Sequence, residues 1–289
     1  MAFNSIVCVK QVPDTANVTA NAMTPEGTVN RGALPAIFNP EDLHALETAL
    51  EIRDRWGGTV TVISMGPPKA SEVLRACLYR GADRAILITD RRAAASDTLA
   101  TSYILSKAVE TVGNYDFVFC GRQAIDGDTA QTGPQIAEKL EVPQVTYLEE
   151  VLDLTRDSSG KGTAKLRRNT GNGWEIVETQ LPALVTVVET ANEPRPMAAK
   201  KVLRYKNMVV PAEVDEVKAQ QLKEKGLLLE QWTLDDIHAD LERCGLAGSP
   251  TKVFRIESII LTKGGYVAVP ATEEGIQNLV HELIVDRTL

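Results

Sequence analysis

The chain has 289 residues, 44% of them hydrophobic and 24% charged, with a formal charge of -8 at pH 7. That length buries a sizeable core, and the usage argues against extensive disorder. The acid excess disfavours nonspecific binding to nucleic acid or anionic lipid, so neither is expected as a partner. The amino terminus lacks the charged start and long apolar run of a signal peptide. No segment reads as a membrane span, so a cytoplasmic protein is expected.

In chain order, strands are expected at Ser5 to Val9, Thr59 to Met65, Arg84 to Thr89 and Asp116 to Cys120. Helices are expected at Pro40 to Trp56, Pro68 to Arg80, Asp97 to Val112 and Ala130 to Leu140. This alternation implies an α/β fold, a doubly wound and mostly parallel sheet whose ligands sit beyond the carboxyl ends of the strands. Tyr147 to Leu154, Ala164 to Arg168, Glu175 to Gln180 and Ala183 to Val188 follow, divided by SSGKG and TGNG turns, and read as added antiparallel hairpins. A basic stretch, Arg195 to Lys206, leads to a charged helix over roughly Pro211 to Lys225. Residues 206–289 read as a carboxy-terminal helical arm, in which Trp232, Ile237 and Leu241 anchor a short helix before GSPTKVFR. Ile276, Leu279, Val280, Leu283 and Ile284 form an apolar stripe near the end.

FVFCGRQAIDGDTAQTGPQIAEKL, from Phe117 to Leu140, is the most informative string. It passes from an apolar strand through a polar turn holding Gly121, Gly127 and Gly133 into an amphipathic helix. Asp128 and Thr129 are placed to cap that helix, whose first amides and dipole would face an anion. No lysine or arginine lies between Arg122 and Lys139, so backbone amides and hydroxyls would hold a phosphate. Asn39 is placed to cap the helix that starts at Pro40. Asp42 either favours that helix's amino terminus or accepts a ribose hydroxyl.

Other chemistries find no footing. Cys8, Cys77, Cys120 and Cys244 lack CxxC pairs and read mostly as buried reduced thiols, and no metal site is expected. His44, His238 and His281 fall in separate helical contexts without an HExxH pair, so no catalytic side chain is assigned.

GRQAIDGDTAQTGP resembles the signature of the beta subunit of electron transfer flavoproteins. VCVKQVPDT at Val7 to Thr15, FNPEDLHALETALEIRD at Phe38 to Asp54 and TANEPRPMAAKK at Thr190 to Lys201 agree with it in order and spacing. The resemblance is strong over residues 1–205, which are expected as the nucleotide- and flavin-binding domain, with an adenine-nucleotide alpha hydrolase-like fold. It implies cofactor contacts at Cys8, Val9, Lys10, Asn39, Asp42, Met65, Gly66, Gly121, Arg122, Gln123 and Ala124, and a pyrophosphate turn of Gly127, Asp128, Thr129, Ala130, Gln131, Thr132 and Gly133.

It also implies an alpha-subunit partner, reached by the carboxy-terminal arm. DGDTA together with VPDT resembles the electron-bifurcating branch, in which the beta subunit holds FAD, takes hydride from NADH and splits electrons between ferredoxin or flavodoxin and the alpha-subunit FAD. The alternative is a structural AMP and an acyl-CoA dehydrogenase-type partner. Docking is expected at Glu193, Pro194, Arg195 and Met197. Ala198 and Ala199 stand where many relatives have an anchoring leucine, and Met197 is the candidate replacement. An adenylating enzyme would need an SGGxDS-like loop after the first strand, and VKQVPDT is not one.

Overall fold

The computed structural model describes residues 2–14, 35–251 and 268–285. The last residue of VPDT and the second half of GSPTKVFR lie outside them. A nine-stranded sheet runs in the order β11-β5-β4-β1-β6-β10-β7-β8-β9. Its parallel centre comprises β1 (Ser5–Cys8), β4 (Val60–Met65), β5 (Arg84–Ile88), β6 (Phe117–Gly121) and β10 (Ala183–Val187).

Alternate residues of these strands feed two cores, as the period of two requires. Val7, Val62, Phe117 and Phe119 pack with Leu46 and Leu50 of α1 (Pro40–Trp56) and with Leu74 and Cys77 of α2 (Ser71–Arg80). Ile6, Cys8, Val118 and Cys120 meet Ile104 and Ala108 of α3 (Thr98–Val112) and Ile136 of α4 (Thr132–Leu140) on the other face. Helices therefore cover both faces, and the expected doubly wound architecture stands. The observed span of α1 equals the expected one. A 3-10 turn at Pro68–Ala70 precedes α2, and Asp97 caps α3 by accepting from the Ala100 amide at 3.0 Å. Among the described residues, no helix is long and apolar enough to cross a membrane.

Three expectations change. Ala183 to Val188 was expected in an antiparallel hairpin, but β10 lies between β6 and the start of β7 (Gln144–Arg156), parallel to both. All five of its residues are buried, which is the signature of a strand covered on both faces. Only β7, β8 (Gly162–Asn169) and β9 (Trp174–Gln180) form the antiparallel extension.

Trp232 was expected to anchor a helix. It ends β11 (Glu230–Trp232), which pairs with β5 as the sheet's edge, and Leu234 and Ile237 follow into the core. The sheet thus draws on residues beyond 205. Third, the charged helix over Pro211 to Lys225 is a 3-10 turn at Pro211–Glu213 followed by α6 (Glu216–Glu224), neither burying a residue. A small antiparallel pair, β2 (Gln11–Pro13) with β3 (Ala36–Phe38), had no sequence signal beyond its brevity.

Candidate nucleotide site

The chain builds β1, β4 and β5 to one side, then crosses back to lay β6 on the other side of β1. That reversal opens the crevice where such sheets bind ligands. Asp42, in the first turn of α1 and buried, closes its base. Its carboxylate accepts from the Lys10 amide at 2.8 Å and from the Gly121 amide at 3.0 Å, so it ties the ends of the two strands together. Gly121 is required here, because a Cβ would stand 2.6 Å from Asp42 Oδ1 and 2.7 Å from the Asp42 amide nitrogen. Burial pushes the Asp42 carboxyl up to about 7 despite these hydrogen bonds.

Asn39 does not cap α1 as expected. Its side chain reaches across the crevice, donating from Nδ2 to the Gln123 carbonyl at 2.9 Å and accepting at Oδ1 from the Ile125 amide at 3.1 Å. Glu41, also buried, accepts from Arg122 Nη2 at 2.6 Å and from the Gln123 amide at 2.8 Å. Lys10 Nζ pairs with Asp126 at 2.7 Å. The start of α1 thus acts as a template for the turn after β6, and Pro40 supplies the helical start that points these side chains.

Asp128 and Thr129 do not cap α4, contrary to expectation. Asp128 (φ 49°) and Ala130 (φ 52°) both adopt left-handed backbone, so the turn bends twice before the helix begins at Thr132 rather than Ala130. Asp128 accepts instead from Gln123 Nε2 at 2.9 Å, and the Gly127 and Asp128 amides close back on the Ala124 carbonyl. Gln131 precedes the helix, but its side chain accepts from Thr98 Oγ1 at 3.0 Å and caps nothing. The first amides of α4, at Thr132 and Gly133, are left without a side-chain cap, which suits an anion. A Cβ on Gly133 would meet Thr186 Cγ2 at 2.8 Å, whereas one on Gly127 would meet nothing within 4 Å among the described residues.

Beside this turn lies a cavity of about 480 Å³ lined by Glu41, Arg122, Tyr147, Arg168, Val188 and Glu189. Tyr147 has φ 61°, rare for a bulky residue, at the register shift between β10 and β7. Its ring centroid is 5.9 Å from the Arg122 guanidinium carbon. Arg122 Nε is buried and finds no partner among the described residues. Sequence reasoning missed Glu41, Tyr147 and Arg168. A lone arginine entering a phosphate turn was the available signal, since a half-buried guanidinium calls for a nearby carboxylate.

Residues 26–211 match the electron transfer flavoprotein domain. The chain is 42% identical over 281 residues to the electron transfer flavoprotein subunit beta of Clostridium acetobutylicum, covering 97% of this chain and 98% of that one. It is 41% identical to the protein FixA of Sinorhizobium fredii (96% and 91% covered). It is also 41% identical to the caffeyl-CoA reductase-Etf complex subunit CarD of Acetobacterium woodii (92% and 92%). The chain belongs to the electron transfer flavoprotein beta-subunit (FixA) family. Beta subunits pair with an alpha subunit in electron transfer, and this chain is one of them.

The other residues expected at the beta-subunit site sit at its strand ends. Cys8 and Cys120 are buried in the core below the crevice. Contact with Cys8 and burial both push the Cys120 thiol up, so it is held as an inert thiol. Val9 is buried with its amide on the Ile63 carbonyl at 2.9 Å, Met65 is half-buried against the same core, and the Gly66 amide bonds the Ile88 carbonyl at 3.0 Å. All four cysteines are free and buried, and no group of residues able to hold a metal occurs among the described residues. His44 is structural: its Nδ1 lies 3.0 Å from the Asn192 carbonyl.

The segment expected to dock a partner packs along α1, where Arg195 is clamped by Glu47 at 2.8 Å and by Asp54 at 2.8 Å. Glu193 and Pro194 precede this clamp, and Met197 emerges from it 47% exposed, just before α5 (Ala199–Tyr205).

Proposed function

We propose that this beta subunit holds FAD, accepts electrons from NADH and divides them between a low-potential acceptor, ferredoxin or flavodoxin, and the FAD of the alpha subunit. From there they serve a flavoenzyme of the acyl-CoA dehydrogenase type. The heterodimer works in the cytoplasm. The observation that carries the FAD reading is the cavity next to the turn, which Arg122 lines while its Nε is left without a partner among the described residues. AMP would satisfy the turn alone, whereas FAD brings a further half with ring acceptors to such a donor. A relative named for a caffeyl-CoA reductase-Etf complex supports a flavoenzyme acting on acyl-CoA as the partner.

The residues fit the cofactor in two parts. The Thr132 and Gly133 amides and the α4 dipole would hold pyrophosphate, and Gly127, which carries no side chain of its own between Asp126 and Asp128, admits close backbone approach. Asp42 and Asn39 keep the crevice and turn in register before any ligand arrives, which lowers the ordering cost of binding. Bound FAD would supply the two-electron to one-electron chemistry, and the protein supplies position, charge and exclusion of water. Met197 would meet the dehydrogenase, and α7 (Glu273–Val285), with Ile276, Leu279, Val280 and Ile284 exposed, would meet the alpha subunit.

Anaerobic titration of the heterodimer with NADH, in the presence of ferredoxin or flavodoxin and the dehydrogenase, tests the division of electrons. Coupled reduction of both acceptors is expected. Reduction of one acceptor regardless of the other would overturn it.

A further inference from the structure

We infer that Glu41 and Tyr147 position the Arg122 guanidinium at the ring end of the nucleotide site, so that Arg122 makes the site favour FAD over AMP. This rests on the FAD reading above. Arg122 stands immediately after β6, at the opposite end of the turn from the Thr132 and Gly133 amides. Phosphate and guanidinium therefore address different parts of one ligand. Glu41 cannot swing, because one carboxylate oxygen takes Arg122 Nη2 at 2.6 Å while the other takes the Gln123 amide at 2.8 Å. The Tyr147 ring bounds the other side, and its left-handed backbone is pinned by the amide's hydrogen bond to Thr186 Oγ1 at 3.1 Å.

This clamp leaves Arg122 Nε buried and, among the described residues, without an acceptor, in a side chain that lines the cavity. A buried donor in that state is costly, and burial of a planar group bearing carbonyls would satisfy it. Arg168, by contrast, is occupied, with Nε on the Thr146 carbonyl at 2.8 Å, Nη2 on Thr146 Oγ1 at 3.0 Å and Nη1 on Glu175 at 2.6 Å. Of the two arginines on the cavity, Arg122 is the one whose Nε is buried without a partner among the described residues. AMP ends before the ring and gains nothing from it.

The test is titration of FAD and of AMP, separately, into heterodimer stripped of nucleotide. Glu41→Gln and Arg122→Gln should each weaken FAD about tenfold, the loss of one charged hydrogen bond, and leave AMP within about twofold. Arg122→Lys, which lacks the Nε donor, should lose the same selectivity, and Tyr147→Phe should keep it. The double variant Glu41→Gln/Arg122→Gln should bind FAD no more weakly than Arg122→Gln alone, since Glu41 acts through Arg122. Melting curves identify a variant that fails to fold, and the Arg122 variants carry the test if Glu41→Gln does. Equal weakening of FAD and AMP would reduce Glu41 to a support of the turn and overturn the inference, as would an unchanged ratio in the Arg122 variants. Failure of the wild-type heterodimer to take up FAD would sink the FAD reading itself, a result visible before any variant is made.

Discussion

At the rim between β1 and β6, the groups that shape the turn are answered from within the chain: Asn39, Glu41 and Asp42 together receive or supply six hydrogen bonds to residues 10 and 121–125. Along α7 the opposite holds. Ile276 is 57% exposed and Ile284 56%, on a helix in which Gly275 alone is buried. A site that must receive a small ligand is finished before the ligand comes, because disorder there would be subtracted from affinity. The apolar face of α7 is left open, as expected of a surface that a partner would cover under the reading proposed above.

The sharpest way to break this contrast is at the two glycines of the turn. Gly121→Ala drives a Cβ into the Asp42 backbone, and we expect a loss on the order of 3 kcal/mol in stability together with loss of bound nucleotide. Gly127→Ala meets open space in the chain, so the melting temperature should hold while nucleotide affinity falls. Denaturant melts paired with nucleotide titration check both. Equal melting of the two variants would contradict a turn that is rigid on one side and open on the other.

Asn39→Ala removes both bonds that hold the 123–125 turn. About 2 kcal/mol of stability should go with them, and hydrogen exchange at the Ile125 amide should quicken. Unchanged exchange there would mean that the turn is held by other contacts.

Asp42 adds a pH dependence. Its carboxyl is raised from 3.8 to about 7, so between those values the folded chain keeps a proton that the unfolded chain has released. Its contribution to stability is greatest at the acid end of that window and falls as pH rises toward 7. Asp42→Asn should lack this slope. Thermal melts from about pH 5 to about pH 8 compare the two, and parallel profiles would remove Asp42 as the titrating group.

The unfinished surface is probed by changes that should leave the fold alone. Ile276→Asp with Ile284→Asp should not shift the melting of the beta subunit but should weaken the heterodimer by at least about tenfold in sedimentation. Met197→Asp should have the smallest structural effect, slowing partner reduction with nucleotide content unchanged; nucleotide loss instead would refute its docking role.

Much of this was legible in the sequence because its signals are local. The stripe of Leu46 and Leu50 and the Asn-Pro start gave α1 to the residue, and apolar runs gave the parallel strands. What escaped depended on distant partners. Ala183 to Val187 follows β9 through a two-residue turn, which suggests a hairpin, yet its unbroken apolar run finds β6 and β7 instead. Asp42 reads as favouring a helix start or accepting from a ribose hydroxyl, Glu41 drew no reading, and nothing local says that their partners lie some eighty residues away at Gly121, Arg122 and Gln123. The caps failed at Asp128 for a related reason: a left-handed residue there turns the carboxylate back to Gln123, so the helix begins later and uncapped.

The most direct test is to extract and count the nucleotides of this chain copurified with its alpha subunit. Two FAD per heterodimer are expected, one of them from the site between β1 and β6. One FAD with one AMP would contradict the account and make this chain the structural half of a simple electron carrier.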